Sequence, residues 1–181
     1  MKFILLIFLW VFVPKLLLAQ AVVAQGSTNV GITLPSIALL DIEPNNSAVL
    51  LELKAPTEAG TFLKSTQQTN AKWINYSSAV ASGKYRSVTV QIEYGSVPTG
   101  TILKAQASAA SGGRGVLGVS GGTITLSNSP QRIILNIGGA VTGNGANYGH
   151  GITYTLEVTN VGLLDFNTSG TVGIIYTLID N

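Results

Sequence analysis

The chain has no cysteine and only one histidine, His150, and charged residues make up 10% of its 181 positions. Each scarcity excludes something. Without cysteine there are no disulfides, no thiolate metal site and no acylated residue to hold a lipoprotein. Stability must come from a packed core, for which this length suffices. A nucleophile–histidine pair or a zinc site would have to be built around His150, which lies in a glycine-rich stretch beside Tyr148. The simpler expectation is a loop histidine bonded to nearby backbone, with no enzymatic activity, cofactor or metal. Sparse charge leaves no electrostatic footprint for nucleic acid. Aromatics reach only 7% and the chain ends on Asp180-Asn181, which fits poorly with the aromatic girdles of a transmembrane β-barrel.

Long apolar runs are also scarce, and the one present is at the start. Phe3–Val13 is unbroken and follows Lys2, whereas Lys15 interrupts what would otherwise be a longer stretch. A mature membrane span needs about 20 residues. The pattern fits a secretory signal peptide over residues 1–24, with cleavage expected after Ala19 or Ala24. Contact with the membrane is then confined to export, and the mature domain, residues 25–181, resides in the periplasm, at the cell surface or outside the cell. Losing Lys2 and Lys15 from the ten basic residues leaves eight against eight acidic ones. A domain this close to neutral lacks the repulsion that keeps monomers apart.

What is abundant is short alternation. Val88, Val90, Ile92 and Tyr94 alternate with Thr89, Gln91 and Glu93, and Leu103, Ala105 and Ala107 with Lys104, Gln106 and Ser108. The period is that of half-buried strands. The Gly-Ser-Val-Pro-Thr-Gly connection between them predicts a β-hairpin over Tyr85–Ser108. Further strands are expected at Asn29–Leu34, Ile37–Ile42, Val49–Leu53, Ala71–Ser77, Val116–Val119, Thr123–Leu126, Arg132–Ile137, Ile152–Thr159 and Val172–Ile179. Ser108–Gly113 and Gly138–Gly151 read as glycine-rich loops. No helical period emerges, since Pro56 and Gly60 break the one weak stretch, Ala55–Lys64. Strands separated by Gly, Pro, Asn and Ser clusters predict an all-β fold: a single antiparallel β-sandwich, immunoglobulin-like or jelly-roll-like.

Few residues carry chemistry. Asp41, Glu43 and Asn45 share one strand face and offer oxygen ligands, but without the spacing of a known calcium loop, and a solvated turn is expected. Gly143–Gly149 has the glycines of a phosphate loop but opens no helix. Asn45, Asn75 and Asn167 begin glycosylation-like tripeptides. Trp73, Tyr76, Tyr85 and Tyr148 are candidates for an aromatic platform under a sugar ring, although large aromatics of sandwiches more often pack in the core.

The ends of the mature chain, the short alternating Asn29–Leu34 and the final strand Gly170-Thr-Val-Gly-Ile-Ile-Tyr-Thr-Leu-Ile179, resemble those of bacterial chaperone–usher and spore-coat-U-like pilin subunits. The resemblance implies an immunoglobulin-like domain whose N-terminal extension completes a neighbour's sheet. Val30, Ile32 and Leu34 would then be the strand-exchange residues, and the partner a second copy. The chain departs from that pattern in having no disulfide and in ending Ile179-Asp180-Asn181. The leading strand is therefore expected inside its own domain, with donation as the alternative. The resulting functional expectation is an exported structural or adhesive surface protein, with a pilin-like fibre subunit as its specific form. The alternative is a non-catalytic carbohydrate-binding module using Trp73, Tyr76 and Tyr148 on a surface polysaccharide.

Overall fold

Antiparallel strands dominate the structure, a computed structural model that describes residues 26–165 and 170–181. The expected signal peptide and Asn167 lie outside the described residues. Nine strands follow in order: β1 (Ile37–Glu43), β2 (Thr66–Ala79), β3 (Arg86–Tyr94), β4 (Thr101–Ser111), β5 (Arg114–Ser120), β6 (Thr123–Thr125), β7 (Gln131–Val141), β8 (Gly149–Val158) and β9 (Gly173–Asp180). They form one antiparallel sheet in the order β6-β4-β8-β2-β7-β3-β9, with β1 on β2 and β5 on β7 off that path. Among the described residues there is no α-helix, only a 3-10 turn at Val161–Leu163. The chain is all-β, as its alternation predicts.

The alternating faces bury at most positions, the exceptions being Tyr94, 60% exposed though expected on the apolar face, and Thr89, 8% exposed though expected on the polar one. Val88, Val90 and Ile92 of β3 and Leu103, Ala105 and Ala107 of β4 all belong to the core, with Ile74, Ile133, Ile134, Ile137 and Ile152 fully enclosed. Each fully buried Val or Ile contributes roughly 1.5–3 kcal/mol. The hairpin, however, does not exist. β3 pairs with β7 and β9, and β4 with β6 and β8. The Gly95–Gly100 connection instead carries the chain between distant places in the strand order, with Val97 packed against the core on the way. Alternation sets which side chains point inward but does not choose the neighbouring strand.

Two expected strands are absent. Residues 44–65 contain no strand, yet Val49, Leu51 and Leu53 are partly buried while Leu50 and Glu52 are exposed. The period of two survives there without a hydrogen-bonded ladder. Residues 26–36 contain none either, and Val30, Ile32 and Leu34 are 76%, 82% and 89% exposed. Both glycine-rich "loops" shrink, because β4 runs on to Ser111, β7 to Val141, and β8 starts at Gly149. Glycine in these strands serves close approach. At Gly149, with φ +70°, a Cβ would stand 2.1 Å from the Ile74 carbonyl oxygen of β2.

One contact crosses the strand order. The hydroxyls of Tyr154 on β8 and Tyr176 on β9 are 2.7 Å apart, although the two strands lie four places from each other.

Candidate functional site

The aromatic candidates separate into two kinds. Trp73 and Tyr76, on the central strand β2, are 9% and 3% exposed, so neither can offer a face to a sugar. Their placement follows from β2 having ladder partners on both edges, β1 on one side and β8 and β7 on the other. Tyr85 and Tyr148 are about half exposed. Tyr148 lies over Gly112 and Gly143, where a Cβ would approach its ring to 2.9 and 2.8 Å. Tyr85 belongs to a separate depression, of about 520 Å³, with Val116, Leu117, Gly118, Val119 and Asn136.

His150 is on β8 and fully buried, rather than in a loop. Its ring stacks on Tyr76 with centroids 5.9 Å apart and planes at 20°. Nδ1 lies 2.9 Å from the Ser108 carbonyl oxygen. A carbonyl can only accept, so whichever ring nitrogen carries the proton donates it to a carbonyl, Ser108 O from Nδ1 or Leu117 O from Nε2. Nε2 is 2.9 Å from the Tyr76 hydroxyl and 3.0 Å from the Leu117 carbonyl oxygen. The Tyr76 hydroxyl donates its one proton to Leu117 O. Burial pushes the Tyr76 phenol well above its ordinary value, so it stays a donor. The ring is thus enclosed and engaged at both nitrogens, tying β2, β4, β5 and β8 together. It has the environment of a structural lock rather than of a base open to substrate.

The Asp41–Asn45 turn also has an internal answer. The ammonium of Lys72, itself 7% exposed, donates to Asn45 O at 2.7 Å and approaches Asn45 Oδ1 and Ser47 Oγ at 3.4 and 3.3 Å. Of the three candidate residues, Asn45 thus holds a lysine, whereas the Asp41 carboxylate accepts from the Ile42 backbone N–H. Among the described residues, no group of three or more His, Cys, Asp or Glu is placed to hold a metal. In the loop after β7, Gly145 O accepts from Asn75 Nδ2 at 2.9 Å. Asn75 is 3% exposed, which closes its tripeptide to glycosylation in the folded chain.

Sequence reasoning missed Arg86. It is 6% exposed at the head of β3. Its Nε donates to Asp180 Oδ1 at 2.7 Å, Nη1 to the Ile37 and Ala79 carbonyls and to Ser78 Oγ, and Nη2 to Ser36 Oγ. One guanidinium therefore joins β1, β2, β3 and β9, and it does so where residues 26–36 lead into β1. A signal was present: Arg86 has the same parity as Val88, Val90 and Ile92, so an inward-facing position was legible.

The edges of the sheet complete the inventory. β9 has β3 as its only ladder partner and β1 has only β2 among the described residues. Ile174, Tyr176 and Leu178 of β9, and Leu40 and Ile42 of β1, face the core but are only partly buried. No family model matches the chain, and no curated protein or solved structure does so either.

Proposed function

We propose that the chain is an exported structural or adhesive surface protein that assembles as a fibre subunit, residues 30–34 of one copy adding a strand to the sheet of the next. One observation carries the reading: an alternating apolar strand, Val30, Ile32 and Leu34, that is 76–89% exposed. The free edge of β9, with its half-covered inward face, is the acceptor this reading requires. Main-chain ladder bonds would give affinity and alternate side chains specificity. Burying three such side chains contributes on the order of 5 kcal/mol before ordering costs. Near-neutral charge removes a barrier to self-association. Export rests on the Phe3–Val13 run, and the non-enzymatic reading on the enclosure of His150.

The same proposal takes the sheet to be folded over as a sandwich. Supporting it is the Tyr154–Tyr176 contact of 2.7 Å, where strands four places apart in a flat sheet would be separated by about 19 Å. The second reading, a carbohydrate-binding module, loses Trp73 and Tyr76 to burial and keeps Tyr148 and Tyr85.

Deleting residues 25–34 from the exported protein tests the assembly. The parent should elute as oligomers or form filaments, and the deletion should be a folded, soluble monomer with an unchanged unfolding midpoint. Loss of the fold on deletion, or a parent that stays monomeric at high concentration, would overturn strand donation.

A further inference from the structure

We infer that the depression between Tyr85 and Asn136 is a binding site for a neutral saccharide. Tyr85 stands just before β3, Val116–Val119 lie on β5, and Asn136 lies on β7. The site belongs wholly to the folded domain, and it does not depend on strand donation.

Three features build it. The first is Asn136. It is exposed and takes φ +60°, a left-handed conformation uncommon inside a strand. The register explains how. Arg86 pairs with Ile137 and Val88 with Ile134, so β7 advances three residues while β3 advances two. The extra residue is a bulge, the device by which a strand re-aims a side chain. The second is Gly118, with φ +77°, where a Cβ would stand 2.6 Å from the Leu135 carbonyl oxygen. No side chain fits there, so the floor stays bare backbone between the half-exposed Val116 and Val119. The third is the half-exposed ring of Tyr85. Neither the Tyr85 hydroxyl nor the Asn136 amide is engaged by another described residue.

The chemistry of the lining selects the ligand. A sugar ring has apolar C–H faces and a rim of hydroxyls that both donate and accept. An aromatic face and two valines suit the first, and an unengaged amide, which offers donors and an acceptor, suits the second. None of the six lining residues is charged, so a carboxylated or sulfated sugar would lose hydration without gaining a partner.

The test titrates the full exported chain with glucose, galactose, mannose, N-acetylglucosamine and trisaccharides of each, following backbone and Asn136 side-chain amides by heteronuclear NMR. Sialyllactose serves as the charged control. At least one neutral sugar should give saturable shifts centred on Asn136 and residues 116–119. Tyr85→Ala and Asn136→Ala should each weaken it by about tenfold or more, whereas Tyr85→Phe, which keeps the ring, should stay within about threefold. Both positions are at the surface, so polymer formation should match the parent in all three variants and the unfolding midpoint should match it in the Tyr85 variants, with only a small loss for Asn136→Ala, which puts alanine at φ +60°; this separates the site from the fibre reading. Absence of saturable shifts with every neutral sugar would overturn the inference. So would binding that survives Tyr85→Ala, or tighter binding of sialyllactose.

Discussion

Two stretches of this chain alternate apolar and polar residues with the same period, and they meet opposite fates. Val88, Val90 and Ile92 are at most 6% exposed, while Val30, Ile32 and Leu34 are at least 76% exposed. Composition does not separate them, since both are short and rich in branched aliphatics. What separates them is neighbours. β3 lies between β7 and β9, with Ile133, Ile134 and Ile137 in the same core. Residues 26–36 have no ladder at all. Val49, Leu51 and Leu53 are intermediate, half-buried in alternation but unpaired. A period of two thus specifies a face to be covered, and the covering element is a separate matter.

The largest expected effect breaks the buried member of the pair. Val90→Asp places a charge where the native side chain is 1% exposed, and it should cost more than about 4 kcal/mol, enough to abolish cooperative unfolding by urea. Next is the clasp beside the exposed segment. Arg86→Ala removes the guanidinium from the Ile37 and Ala79 carbonyls, of which Ala79 keeps Ser36 Oγ, and should cost about 2–3 kcal/mol in a urea titration. Asp180→Asn should cost less than about 1 kcal/mol, because the Asp180 side chain is 80% exposed and its charge is solvated in either state. Equal losses for the two variants would show that the ion pair, not the carbonyl contacts, holds the strands.

Alkaline pH gives a graded version. Burial, the first cause in each case, raises the phenols of Tyr76, Tyr154 and Tyr176 above the ordinary 10.0, the Tyr154 shift being reduced by its hydrogen bond to Tyr176. A group whose folded-state value is raised supports the fold fully below its unfolded value and loses that support as pH climbs through the folded one. Stability should therefore hold up to about pH 10 and then fall, by up to about 1.4 kcal/mol per pH unit for each buried phenol. Urea midpoints measured across that window should show a shallower decline for Tyr76→Phe than for the parent. Residues 26–36 contain no titratable side chain and should not contribute. The smallest effect belongs to the exposed stretch: Ile32→Asp should change the monomer's stability by no more than about 0.5 kcal/mol. The same substitution should abolish assembly in sedimentation, because the charge would enter an apolar pocket of the neighbour. A large loss of monomer stability would place Ile32 back in its own core.

Read alone, the sequence determined the class and the faces. Branched residues at every second position, broken by Gly, Pro and Asn, specify strands and exclude helices, and the inward parity of β3 and β4 follows from it, Arg86 included. Tertiary structure decided the partners. It separated β3 from β4 despite a hairpin-like connection and enclosed Trp73, Tyr76 and His150. It also turned glycine-rich stretches into strands that approach closely. The physical reason is that backbone donors and acceptors are the same at every residue. Local pattern can therefore orient a strand, but only the packing of the whole chain selects which strand lies beside it.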